Sequence, residues 1–144
     1  MVKLKERPSK TENAQITAIS TIIKRLKRYK NYPNLPFVEK LPYILDFMLD
    51  NEFKQNIKKI YLFGSYVYGR PDEDSDLDFC VIIDDEISKY RREVSLKIKI
   101  KLFDENVIPN DILVYNEEKF YGYTNPQGIE SVIIKRGKLL YERK

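Results

Sequence analysis

Two short apolar runs, KKIYLF at residues 58–63 and LDFCVII at 77–83, interrupt a chain whose other segments are amphipathic or polar. Both are rich in β-branched and aromatic residues and both abut turn-forming residues, so each reads as a strand buried on its two faces. NDILVY at 110–115 is a third candidate, and the closing KLLYER is a fourth. Elsewhere the periodicity is helical. Ser9 and Glu12 have the spacing of a capping box, and Ile16, Ile19, Ile23 and Leu26 follow at helical intervals. A breaker segment, NYPNLP at 31–36, separates this helix from a second one expected over 38–53. The second carries Leu41, Ile44, Leu45, Met48 and Leu49 along one stripe, with Pro42 tolerated near its start. Residues 86–104 fit two patterns: Ile87, Tyr90, Val94 and Ile98 suit a helix, whereas VSLKIKIKLF also alternates with period two. A helix is the expectation, because the segment links two apolar strands. Between the first two strands there is room for a turn and about two helical turns. A short helix over 129–136 should stop at Gly137 in the left-handed position that glycine favours. Helices alternating with buried strands predict an α/β (α+β) fold.

Composition narrows the chemistry. The chain has 144 residues, 42% of them hydrophobic and 33% charged, as a single globular domain with an appendage would have. No apolar run approaches the roughly 18 residues that span a bilayer, and MVKLKERPSKTE lacks the apolar stretch of a signal peptide, so a cytoplasmic protein is expected. There is no histidine, and Cys80 is the single cysteine. An internal disulfide is excluded, and zinc chemistry and histidine-activated nucleophiles lose their usual ligands and bases. What remains is carboxylate, hydroxyl, lysine and arginine chemistry. Of the 26 Lys and Arg residues, 11 lie in the first 56 positions against 6 acids, which marks residues 1–56 as a basic helical extension and 57–144 as the core domain. Within the extension, Lys24, Arg25, Lys27 and Arg28 of KRLKRYK offer cations to RNA or DNA phosphates, with Tyr29 or Tyr32 to stack on a base. The same run also fits the solvated face of an amphipathic helix.

The acids concentrate in LFGSYVYGRPDEDSDLDF, residues 62–79. A strand entering Gly64-Ser65 and then a helix start presents backbone N–H groups and the positive end of a helix dipole to an anion such as a phosphate. Asp76 and Asp78 are two apart on a strand and so project from one face. Two such charges ~5 Å apart repel by about 3 kcal/mol at an effective dielectric near 20, and a hard divalent cation relieves that repulsion. All-oxygen ligation suits Mg²⁺. Asp72, Glu73 and Asp74 read as a solvated loop, but Asp78 lies inside an apolar strand and needs a partner. Asp111, at the head of the third strand, joins the pair if the strands are neighbours. Three strand-borne aspartates beside a phosphate turn describe a two-metal site for in-line displacement on a nucleotide. Cys80 shares the sheet face of Asp78 and reads as a packed small hydrophobe.

With these residues the chain resembles the nucleotidyltransferase superfamily of the DNA polymerase beta type. Its signature is a strand, Gly-Ser, about ten residues, Asp-x-Asp and a later strand-borne acid, matched here by Gly64-Ser65, Asp76-Leu77-Asp78 and Asp111. GSYVYGRPDEDSDLDFCVI and the ending IESVIIKRGKLLYER are similar to the minimal nucleotidyltransferases. The resemblance implies a nucleotidyltransferase fold over 57–144, a small mixed sheet flanked by helices. It further implies that Gly64 and Ser65 hold the triphosphate of ATP or another NTP. Asp76 and Asp78 would ligate both Mg²⁺ ions, and Asp111 would complete one metal site and accept the proton of the attacking hydroxyl. Where the family commonly has arginines after Gly-Ser, this chain has Tyr66 and Tyr68. Many minimal nucleotidyltransferases pair as antitoxins with a HEPN-domain toxin, some by transferring AMP to a toxin tyrosine, and the resemblance implies that role. Transfer to a small molecule such as an aminoglycoside, or to an RNA end, stands as an alternative. A catalytically weak antitoxin that neutralises its toxin by covering it is another.

Overall fold

The computed structural model describes residues 10–122 and 125–144, with side chains from residue 15. Four strands, β1 (Ile57–Phe63), β2 (Leu77–Ile83), β3 (Asn110–Asn116) and β4 (Lys138–Glu142), form one sheet in the order β3-β2-β1-β4. β1 pairs antiparallel with β2 and with β4, while β2 and β3 run parallel. The sheet is mixed, as the α/β (α+β) reading requires.

Among the described residues six α-helices flank it: α1 (Lys10–Leu26), α2 (Leu41–Leu49), α3 (Ser65–Tyr68), α4 (Arg91–Asp104), α5 (Glu117–Gly122) and α6 (Ile129–Arg136). The pleat divides the apolar strand residues between two clusters. Ile60, Leu62, Leu77, Phe79 and Val81 pack with α1, α2 and α4 on one face, joined by Ile22, Leu26, Ile44, Met48, Val94 and Ile98. Tyr61, Phe63, Cys80 and Ile82 face the other way, against Phe120 of α5 and Ile133 of α6. Helices on both faces explain why KKIYLF and LDFCVII are apolar without alternation.

Parallel strands need a crossover, and α4 supplies it between β2 and β3. The helical expectation for this segment holds, with a tighter turn over Asp85–Tyr90 leading into it. Other expectations change in detail. Rather than filling 38–53, the second helix runs from Leu41 to Leu49, after a short 3-10 turn at Val38–Lys40. Pro42 sits in its first turn, where a missing N–H costs nothing. Asn51 then ends it, donating from Nδ2 to the Met48 carbonyl at 2.9 Å and accepting the Phe53 N–H at 2.8 Å. Between β1 and β2 there is one helical turn, α3, in place of two. Gly137 has extended backbone, φ −65° and ψ 162°, and not the left-handed conformation expected. Glycine is needed there for space, since a Cβ would stand 2.5 Å from the Ile133 carbonyl oxygen. Ser9, and with it the capping box, lies outside the described residues.

Past β4, Arg143 grips Asp84 at the end of β2 through two bonds, 2.8 and 3.0 Å. That fork holds the Asp84 carboxyl below the ordinary carboxylate range and ties the chain's last strand to its middle. No helix among the described residues is long and apolar enough to cross a membrane.

Candidate active site

The end of β1 and the starts of β2 and β3 meet at one edge of the sheet. Phe63 is the register partner of Asp78, and Asp78 is the register partner of Asp111. Neighbours in a parallel ladder point to the same face, so the two carboxylates stand side by side on the face lined further along by Cys80. Asp76 is exposed just before β2, two residues from Asp78. The structure therefore brings the three predicted aspartates to one sheet edge.

Their proximity has an electrostatic signature. Asp78 is pushed up to about 6, first by burial and then by the negative charges of Asp111 and Asp76. Among the described residues no three carboxylate or thiol side chains are gathered tightly enough to cage a cation alone. The donor set is all oxygen, and a cation placed there would relieve the repulsion from Asp111 and Asp76 that adds to burial in raising Asp78.

Directly against Asp78 lies Gly64. Its φ is +79°, and a Cβ would fall 2.1 Å from Asp78 Oδ2. Backbone conformation and the carboxylate's approach each demand glycine, which explains why strand, turn and acid are inseparable in the motif. Ser65 opens α3 and is half-buried. The bonds of this turn start at Val67 N–H, which donates to the Gly64 carbonyl at 3.0 Å. The amides of Ser65 and Tyr66 belong to the first turn, where no intrahelical acceptor is available.

The two tyrosines of the turn differ. Tyr66 is buried and its hydroxyl has no hydrogen-bond partner among the described residues. Burial, with the Asp72 charge, pushes that hydroxyl up to about 12. Tyr68 is half-buried, and the guanidinium of Arg136 lies over its ring, 4.4 Å from the centroid. A cation from the end of α6 is thus brought beside the turn where the sequence places aromatic residues. Sequence reasoning missed Arg136, because its only signal was a basic residue ending a short helix.

The basic run does not act as one patch. Lys24, Lys27 and Arg28 are exposed, but Arg25 is half-buried and donates from Nη2 to the Gly69 carbonyl. It also lies 5.5 Å from the centroid of Tyr29, whose ring Arg70 approaches at 5.4 Å. Asn31 donates to the Pro71 carbonyl. Arg25 and Asn31 therefore tether the loop after the Gly-Ser turn to the N-terminal segment.

A sheet of this topology with a Gly-Ser turn and neighbouring acids at one edge is the architecture of a nucleotidyl-transferring domain. A family model described as polymerase beta, nucleotidyltransferase matches residues 48–144, and the chain belongs to that family. The match begins within α2 and leaves α1 outside it. Among solved structures, a protein assigned as a nucleotidyltransferase from Sulfolobus solfataricus is 15% identical, with 97% of this chain and 94% of that one covered and a TM-score of 0.45. A toxin-antitoxin structure with AMP-PNP is 24% identical, covering 72% of this chain and 73% of that one, with a TM-score of 0.43. A mutant of the toxin-antitoxin MntA-HpeT is 21% identical over 72% and 73%, with a TM-score of 0.41. Superpositions this loose carry no functional argument, and the family assignment stands on the family model. A search of curated protein sequences finds no match.

Proposed function

We propose that this nucleotidyltransferase is Mg²⁺-dependent and moves a nucleoside monophosphate, most simply AMP from ATP, onto a hydroxyl in the cytoplasm. The observation that carries the reading is the in-register pair Asp78 and Asp111 backed by Gly64, with Asp76 two residues away. In this reading residues 57–144 are the catalytic unit and residues 1–56 a helical extension that buttresses it. The Gly64-Ser65 turn holds the triphosphate with backbone N–H groups and the Ser65 hydroxyl. Asp76, Asp78 and Asp111 would hold two Mg²⁺ ions, and the chemistry such ions supply when bound is neutralisation of phosphate charge in an in-line displacement. Asp111 accepts the acceptor's proton as its hydroxyl oxygen bonds to the α-phosphorus, and the bond to pyrophosphate breaks. Arg136, whose guanidinium lies over Tyr68, is the cation this reading assigns to the charge on the leaving phosphates.

For the acceptor we favour a tyrosine on a HEPN-domain toxin, on the strength of the likeness of GSYVYGRPDEDSDLDFCVI to the minimal nucleotidyltransferases. An aminoglycoside-like molecule and an RNA end are the competing acceptors. Incubation with α-labelled ATP, Mg²⁺ and each candidate acceptor decides among them. The expected outcome is label on a protein tyrosine, lost in D76A/D78A protein. Label that persists in that variant would sink the metal-site reading.

A second reading rests on Tyr66 and Tyr68 standing where the family commonly has arginines. There the protein neutralises its toxin by covering it. Tight toxin binding without label transfer, unchanged in D76A/D78A protein, would select that reading.

A further inference from the structure

The two halves of the candidate site hang from one connection. Ser65 of the Gly-Ser turn stands at its start and Asp76, the first acid, at its end, and residues 69–76 form neither helix nor strand. The exposed half of this loop folds on itself. Asp72 Oδ1 accepts the Asp74 N–H at 2.9 Å and the Ser75 hydroxyl at 3.2 Å, while the Asp72 N–H donates to Ser75 Oγ at 2.9 Å. The inner half is held from the N-terminal segment. Arg25 of α1 donates from Nη2 to the Gly69 carbonyl, and Asn31 donates from Nδ2 to the carbonyl of buried Pro71. Both residues precede the stretch 48–144 that the family model matches. Tyr29 braces the arrangement, with the guanidinium groups of Arg25 and Arg70 lying 5.5 and 5.4 Å from its ring centroid.

Gly69 passes that grip on to the turn. Its N–H donates to the Ser65 carbonyl at 3.0 Å, and a Cβ on it would stand 2.8 Å from Ser65 Cα. Arg25 thus holds Gly69 through its carbonyl while Ser65 lies packed against it, and a displaced Gly69 would carry Ser65 with it. Stability alone does not account for the arginine. Its Nη1 is buried with no partner among the described residues, and a buried donor left unmatched opposes folding. An apolar side chain of similar length would fill the same space without that cost. What it could not make is the bond to the Gly69 carbonyl.

We infer that Arg25 and Asn31 are positioning residues for nucleotide binding: by fixing Gly69 and Pro71 they hold Ser65 and Asp76 in place before the nucleotide arrives. The N-terminal segment is then part of the site and not only a support for the sheet. The inference rests on the reading of Gly64-Ser65 as the triphosphate turn and of Asp76 as a metal ligand. Neither Arg25 nor Asn31 touches the nucleotide. A loop released from both bonds has to be ordered when the nucleotide binds, and that ordering is subtracted from its affinity.

Two measurements on the full chain test it. Hydrogen exchange of the nucleotide-free protein reads the amides of residues 65–76, and fluorescence anisotropy reads the affinity for a fluorescent, non-hydrolysable ATP analogue with Mg²⁺. R25M keeps the bulk of arginine and N31D the shape of asparagine, each without the donor. Both variants should exchange faster over 69–76, with β1 and β2 protected as in the native chain, and should bind the analogue about tenfold more weakly. R25K should recover part of both losses, since its ammonium can donate to the Gly69 carbonyl. I98A, which loosens the core away from this loop, should bind as the native chain does at temperatures where it is folded. N31D, beyond the end of α1, carries the test should R25M fail to fold. Native affinity in N31D and R25M, unchanged exchange over 69–76, no recovery in R25K, or an equal loss in I98A would each overturn the inference and leave the triphosphate reading standing. A native chain that does not bind the analogue would overturn that reading, and this inference with it.

Discussion

At Asp78 the site works against the stability of the fold. Its carboxyl titrates at about 6 in the folded chain, against 3.8 ordinarily, because burial and the charges of Asp111 and Asp76 disfavour ionisation. An acid raised on folding contributes its stability below the ordinary value and loses it as pH rises through the folded value. Without metal, the protein should therefore be weakened between about pH 4 and 6 by this one group. For a half-exposed carboxylate, solvent screening reduces the effect to about 1 kcal/mol. Asp78→Asn should then raise the melting temperature of metal-free protein by about 3 °C at pH 7.5 and leave it unchanged near pH 4. Calorimetry of both proteins across that range checks it, and Mg²⁺ should stabilise the native protein more than the variant. Gly64, Ser65, Asp76 and Asp78 were legible in the sequence because their geometry is local, set by one turn and one strand. Asp111 needed the β2–β3 register, and Arg136 needed the packing of α6 over Tyr68, neither of which local spacing encodes.

Among the elements, α4 shows how one pattern serves two surfaces. The period-two run VSLKIKIKLF looked half like an exposed strand because both sides of the helix are apolar, one buried and one open. Connection geometry settled it, since parallel neighbours cannot be joined by a further short strand. Ile98 is fully buried, so Ile98→Ala should cost about 3 kcal/mol in urea unfolding, far more than a change at exposed Leu96. The lengths of α2 and α3 were overread: α2 stops at Leu49 with its stripe, where Asn51 caps the bonding, and the room between β1 and β2 is taken up by loop after Gly69. At Gly69 a Cβ would lie 2.8 Å from Ser65 Cα, a steric reason invisible without the folded turn. Helix α5 escaped the sequence reading altogether: six residues with one buried anchor, Phe120, make no periodic signal.

In the whole molecule, the N-terminal helices share the core of the sheet. Ile19, Ile22 and Leu26 of α1 are buried in the same cluster as β1 and β2, and α1 packs across β4. Leu26→Ala should accordingly destabilise the entire protein by about 3 kcal/mol in a single cooperative transition. An unfolding curve in two steps, with only the first displaced, would show instead that the extension melts on its own. Membership of the polymerase beta nucleotidyltransferase family and the alternation of helix and strand were written in the chain, because spacing within a turn, a strand or a helix is a local property of covalent geometry. What the chain's order could not convey is which distant residues come to lie together: Asp111 beside Asp78, Arg136 over Tyr68, and Arg25 on the Gly69 carbonyl. Those neighbours follow from strand register and from packing on two faces of one sheet, where residues far apart in sequence meet.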